Sequence, residues 1–194
     1  MKTILVNLTG NRDNFENNFC ANIINNCKVN IDLCELMGLS LFESANLINN
    51  YDFVLVVAHA SNNKLDNCII DTGLNLNQSI PVSILNMLNS PSVLSQILGK
   101  NTKKYILFYC ACSALSAELI TSATDDPNCI GIISSKDEVS ASEFAHISKI
   151  IEEIHNKFID NVISTKAIID ILNTVNMPNL FYCENTINVE ETDV

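Results

Sequence analysis

The sequence predicts one α/β domain, built as a three-layer α/β/α sandwich around about six mostly parallel strands, the last of which could run antiparallel. Short apolar runs alternate along the chain with segments of helical spacing, a pattern typical of parallel β-α-β units. The length of 194 residues fits one compact domain, and 47% hydrophobic residues are enough to build its core. We therefore expect a single domain over residues 1–186 and an acidic tail over 187–194.

Each predicted strand is a short apolar run bounded by turn-forming residues. The predicted strands cover residues 3–9, 29–36, 52–58, 104–111, 129–134 and 180–183. The runs 52–58 and 104–111 are the most apolar, so we expect them at the centre of the sheet. A small hairpin is predicted over 65–76, with its turn at Thr72 and Gly73.

Helices are predicted where apolar residues recur at three- and four-residue spacing. They cover residues 15–27, 40–49, 82–98, 113–123, 140–158 and 164–173. Pro91 interrupts the third helix, because proline lacks the N–H that a helical hydrogen bond needs. The long connector that contains this helix is a suitable place for loops of a functional site.

Charge and hydropathy exclude several classes of partner. Eleven basic and 22 acidic residues give a formal charge of -11, which repels nucleic acid and anionic lipid and favours a basic or neutral protein or peptide. The apolar runs are far shorter than the roughly 18 residues that span a bilayer, and no signal-peptide pattern is present. We expect a cytoplasmic protein, in the producing cell or, after delivery by a non-classical route, in a target cell.

The cysteine, histidine and glycine patterns predict a protein without cofactors. The eight cysteines lie mostly inside apolar runs, which favours free thiols in a reducing compartment over a disulfide framework. No C-x-x-C motif occurs, and the three histidines do not stand at zinc-ligand spacing from the cysteines. The five glycines are too scattered for a phosphate-binding loop, so we expect neither a metal nor a nucleotide.

Two residues that end the central strands form the candidate site. His59 follows one of the two most apolar runs and Cys112 ends the other. Because ligand sites in open α/β sheets form beyond the carboxyl ends of the strands, both side chains should emerge at one rim if the strands are neighbours. A thiolate from Cys112 and an imidazole from His59 suit nucleophilic catalysis.

The residues next to this pair predict supporting roles. Ser113 is a good N-cap for the helix that follows, so the helix dipole should lower the pKa of the Cys112 thiol. The backbone N–H groups of Ala60 and Cys112 are the expected oxyanion donors. Cys110 is the rival nucleophile, but it lies deeper in the strand, so we expect it to be buried. The competing interpretation is an ordinary core cysteine and a core histidine.

The two strands and their ends resemble the caspase-like (clan CD) cysteine peptidases, in which one hydrophobic strand ends in His-Gly and the next in Ala-Cys. The chain is most similar to the bacterial CHAT branch in the segment 111–114, Ala-Cys-Ser-Ala, and in Gly131, Asp137–Glu138 and Phe144. This resemblance covers most of residues 3–184 and implies a caspase-like fold and a cysteine endopeptidase with Cys112 and His59 as its dyad.

One residue departs from the family pattern, since Ala60 stands where the family has glycine. If that position needs a positive φ, the alanine Cβ would cost about 1 kcal/mol. Two other functions therefore stay open: a catalytically silent interaction domain of the same fold, and a flavodoxin-like module that binds a small ligand.

Substrate preference is expected to depend on charged residues near the strand ends. The resemblance implies a specificity residue in the loop after the first strand, where Asp13 would accept a Lys or Arg side chain at P1 and Arg12 an acidic one. Asp137 and Glu138 are further candidates for the S1 pocket. Asp13 could equally serve as an N-cap for the helix that follows.

Overall fold

The computed structural model describes residues 1–7, 14–35, 48–62, 68–71, 101–111, 126–158, 163–177 and 179–185. Within these ranges it contains the following strands and helices. They are β1 (Thr3–Asn7), α1 (Asn14–Asn26), β2 (Ile31–Glu35), β3 (Phe53–Val57), β4 (His59–Asn62), β5 (Cys68–Asp71), β6 (Tyr105–Cys110), β7 (Cys129–Ser135), a 3-10 helix (Ala141–Glu143), α2 (Phe144–Lys157), α3 (Thr165–Val175) and β8 (Leu180–Glu184).

Six of the strands form one sheet in the order β2-β1-β3-β6-β7-β8. The first five strands are parallel to their neighbours, and β8 pairs antiparallel with β7. Every residue of β1, β3 and β6 is buried, as expected for strands covered on both faces. The predicted α/β sandwich with an antiparallel last strand is confirmed.

The two faces of the sheet contribute to two separate parts of the core. On one face Leu55 and Phe108 pack with α1, α2 and α3, and the Phe53 and Phe108 rings meet edge to face at 6.4 Å. On the other face Val54 and Tyr109 are buried in a second cluster. Alternation of side chains along each strand therefore supplies both layers from one apolar run.

A capping serine begins the 3-10 helix that leads into α2, and another begins α3. Ser140 and Glu143 form a capping box, with the Ser140 N–H donating to Glu143 Oε2 over 2.6 Å, and the first turn is a 3-10 helix. Ser164 Oγ accepts from the Ala167 N–H at the start of α3. Asn176 adopts φ 61°, a left-handed conformation that ends α3. These caps fix how the two helices lie against the sheet.

A small hairpin pairs β4 with β5, so that residues 59–62 lie opposite 68–71, a pairing that the sequence did not predict. The turn predicted at Thr72 and Gly73 lies outside the described residues. The Ser61–Asn62 segment is polar and turn-like by composition, yet pairing with the β-prone segment Cys68–Asp71 makes it a strand.

Several predicted elements lie outside the described residues. They are residues 40–47 of the helix predicted at 40–49, the helices at 82–98 and 113–123, and the tail 187–194; residues 48 and 49 form part of a turn. Across the described ranges, no helix has the length and apolarity needed to cross a membrane.

Candidate functional site

The carboxyl ends of three neighbouring strands finish level with one another. Asn7 of β1 lies beside Val57 of β3, and Val57 lies beside Cys110 of β6. The Ala58 N–H donates to the Cys110 carbonyl over 3.2 Å, which carries this ladder one residue beyond β3. His59 follows directly as the first residue of β4. The two most apolar strands are thus parallel neighbours, as predicted.

Pairing between β3 and β6 keeps a constant offset. Each of its five pairs, from Phe53 with Ile106 to Val57 with Cys110, joins residues 53 positions apart. Positions 59 and 112 are also 53 apart in the sequence, and they have the same parity as Val57 and Cys110. The described pairing ends at Val57 with Cys110 and at the Ala58 hydrogen bond, His59 belongs to β4, and Cys112 lies outside the described residues.

Four predicted site residues lie outside the described residues: Arg12, Asp13, Cys112 and Ser113. The structure describes the chain as far as Ala111, which is 2% exposed and belongs to the core on the face away from α1, α2 and α3. The roles assigned to these four residues stay predictions.

The rival thiols are poor nucleophiles. Cys110 is 3% exposed, so the prediction that it is buried is confirmed. Desolvation by burial raises the pKa of Cys129 to about 12 and also raises the pKa of Cys27 and of Cys183. A thiol with a raised pKa stays protonated at neutral pH, where the thiolate is the reactive form.

Ala60 lies inside strand β4, opposite Ile70. Among the described residues, the non-glycine residues with positive φ are Asn50 and Asn176, so the Ala60 backbone has none of the strain that a left-handed conformation would impose. The difference from the family glycine therefore carries no backbone cost here. The Ala60 N–H can bind an oxyanion only if the Ala60–Ile70 pair is one of the pairs of the ladder that exchange no hydrogen bonds.

Asp137 and Glu138 follow β7 at the same edge of the sheet, because β7 runs parallel to β6. Both side chains are exposed. Ser135 Oγ donates to the Asp137 carbonyl over 3.0 Å and accepts from its N–H over 3.1 Å, which fixes this turn. Lys136, between Ser135 and Asp137 in the sequence, has its Nζ 4.2 Å from the centre of the Phe181 ring. Two carboxylates are thus left exposed beside the strand ends.

Asp71 was not singled out from the sequence. It is the last residue of β5 and lies directly opposite His59 in the hairpin. The short β-prone run 68–71 that ends in an acidic residue was a visible signal. Its partner could not be inferred, because the turn was expected elsewhere.

Gly131 has a packing role. A Cβ at this position would overlap the Tyr182 phenol ring, which reaches across from β8, and the Tyr182 hydroxyl donates to the Ile130 carbonyl over 3.3 Å. The glycine that contributes to the family resemblance is therefore required by a tyrosine on the neighbouring strand.

In the part of the chain that the structure describes, no three His, Cys, Asp or Glu residues cluster in a way that could hold a metal ion. No family model matches the chain, and no curated protein matches it.

Proposed function

We propose that the chain is a cysteine endopeptidase in which Cys112 is the nucleophile and His59 the general acid and base. The register of β3 and β6 carries this proposal. Val57 pairs with Cys110 at the edge where ligand sites of α/β sheets form, and His59 and Cys112 each follow two residues later in the sequence. A thiol and an imidazole that meet at this edge would suit proton transfer.

The reaction follows the usual course for a thiol peptidase. The Cys112 proton passes to His59, and the thiolate attacks the carbonyl carbon of the scissile bond. The tetrahedral intermediate collapses, the C–N bond breaks, and the leaving amine takes the proton from His59. Water then attacks the thioester while His59 accepts its proton, and the acid product leaves as the proton returns to Cys112. The N–H groups of Cys112 and Ala60 would stabilise the oxyanion.

Four of the described thiols are poor nucleophiles. Cys110 is buried in the core, and burial raises the pKa of Cys27, Cys129 and Cys183. Cys110 lacks the exposure that nucleophilic attack needs, and the raised pKa of the other three keeps their thiols protonated at neutral pH. Cys112, at the start of the predicted helix, is the cysteine for which the sequence predicts a lowered pKa.

Charge at the carboxyl edge supports a basic side chain at P1. Asp137 and Glu138 are exposed there, and the chain as a whole carries a formal charge of -11. Carboxylates at a pocket favour Lys and Arg side chains. Asp13 is the residue proposed to bind the P1 side chain, and Arg12 is the alternative for an acidic one.

The test is a panel of fluorogenic peptides that differ only at P1, cleaved by the whole chain. Cys112→Ala should lower kcat on the order of 10⁶-fold, and His59→Ala almost as much. Cys183→Ala is the matched control, because it removes a half-buried thiol on β8 and should leave kcat unchanged. Asp13→Ala should weaken cleavage after Lys or Arg through KM.

Two results would change the proposal. A preference for Asp at P1 would assign the pocket to Arg12. Failure of the folded wild-type protein to cleave any peptide would contradict the peptidase function and favour a silent interaction domain.

A further inference from the structure

The pairing of β4 with β5 places Asp71 opposite His59, the residue proposed as the general base. We infer that Asp71 is a positioning residue for His59, selecting the imidazole tautomer and stabilising the imidazolium. The inference rests on the proposed function only in giving His59 a catalytic role. The structural basis is the position of the two residues opposite each other in the hairpin.

The register of this hairpin is specific. Its four pairs are His59 with Asp71, Ala60 with Ile70, Ser61 with Ile69, and Asn62 with Cys68. Directly opposite residues of an antiparallel pair share one face of the ladder.

The position of the pair within the hairpin fits the proposed reaction. His59 begins β4 two residues after β3 ends, so the His59–Asp71 pair is the end of the hairpin nearest the carboxyl edge of the main sheet. A carboxylate that accepts one imidazole N–H leaves the other nitrogen to exchange a proton with a thiol. The same charge favours the imidazolium that forms when the thiol loses its proton.

Among the described residues, other titratable groups at this end of the sheet are Glu35 at the end of β2 and Asp137 and Glu138 after β7. Cys112 is the proposed catalytic partner of His59. A thiolate at Cys112 would also raise the pKa of His59. The measurement must therefore separate Asp71 from Cys112.

The experiment is an NMR titration of the histidine Cε1–H resonances, made on the full chain carrying Cys112→Ala. The chain has three histidines, so His146 and His155 serve as internal references. Adding Asp71→Asn should lower the pKa of His59 by about one unit and leave the other two unchanged. Asp71→Glu, which keeps the charge, should largely preserve the wild-type value.

A charge control excludes a general field effect. Asp170→Asn removes one exposed carboxylate from α3, outside both hairpin strands, and should not move the pKa of His59. An unchanged pKa of His59 in Asp71→Asn, or an equal fall in Asp170→Asn, would overturn the inference.

Turnover gives a second readout in the chain with Cys112 intact. Asp71→Asn should lower kcat on the order of 10²-fold or more with little change in KM, because Asp71 is proposed to act on His59 and not to bind substrate. A loss confined to KM would count against a positioning role. If the wild-type chain cleaves nothing, the proposed function fails, and the pKa of His59 still decides whether Asp71 acts on it.

Discussion

Two asparagines at the amino edge of the parallel strands contrast with two carboxylates at the carboxyl edge, where Asn7, Ser134 and Ser135 are also buried. At the amino edge, buried asparagines hydrogen-bond to the backbone: Asn101 is 2% exposed and binds three backbone groups, and the Asn185 amide donates to the Cys129 carbonyl over 2.9 Å. At the carboxyl edge, Asp137 and Glu138 are exposed, and no hydrogen bond of their carboxylates is found among the described residues.

This difference separates stability from function within one sheet. Polar groups that satisfy buried backbone groups are costly to remove, since their partners are left unpaired out of water. Exposed carboxylates contribute little to stability and are available to a ligand. Substitutions of Asn101 and Asn185 should therefore lower stability, and substitutions of Asp137 and Glu138 should change activity.

The largest loss of stability is expected at Asn101. Its Oδ1 accepts from the N–H groups of Asn50 and Lys103 over 3.1 and 3.0 Å, and its Nδ2 donates to the Tyr51 carbonyl. Asn101→Ala should lower the free energy of unfolding by about 3 kcal/mol, measured by urea denaturation. Asn49→Ala is the control, because Asn49 binds the exposed Thr102 and should cost less than about 1 kcal/mol. Equal losses would contradict the role given to burial.

Gly131→Ala should lower the free energy of unfolding by about 2 kcal/mol, because the added Cβ overlaps the Tyr182 ring. The change would be seen as a lower urea midpoint with an unchanged m-value. In a Tyr182→Ala background the same substitution should cost little, since the overlapping ring is gone. A cost of the same size in both backgrounds would show that the ring is not its cause.

High pH should destabilise the fold through Cys129. Burial raises the pKa of Cys129 to about 12 from an ordinary value of 9.0. The contribution of the buried, protonated thiol to the free energy of unfolding is therefore complete below pH 9 and is lost as pH rises towards 12. At pH 10 the loss should be about 1 kcal/mol. The measurement compares urea denaturation at pH 8 and pH 10 in wild type and Cys129→Ala. If Cys129→Ala loses as much free energy of unfolding between pH 8 and pH 10 as wild type does, Cys129 is not the cause of the loss.

The smallest effect on stability is expected at the carboxyl edge. The double variant Asp137→Asn with Glu138→Gln should change the free energy of unfolding by less than about 0.5 kcal/mol, because both side chains are exposed. It should raise KM for peptides with Lys or Arg at P1 and leave kcat nearly unchanged. A large loss of stability would remove the difference between the two edges.

The sequence predicted those parts of the fold in which local pattern and tertiary structure agree. Strands β3 and β6 are continuous apolar runs, and α2 combines helical spacing with a capping serine, Ser140, so each could be located from its own residues. The meeting of the carboxyl ends of β3 and β6 at one rim followed from the parallel arrangement of the strands.

The remaining features depend on which distant segments pair. Strand β4 has no alternation of its own and forms only against β5, so the position of Asp71 opposite His59 could not be read from either segment. In the same way, nothing near Gly131 indicates that a tyrosine 51 residues later packs against it. Register between separate segments is a tertiary property.

The most direct test of the central claim, a reactive Cys112 paired with His59 at the carboxyl edge, is the rate at which iodoacetamide labels each thiol of the native chain at neutral pH. Mass spectrometry of the digested protein assigns each rate to its cysteine. We predict that Cys112 is alkylated much faster than the other seven cysteines and that His59→Ala removes this advantage. A Cys112 that labels no faster than the half-buried Cys183 would contradict the account.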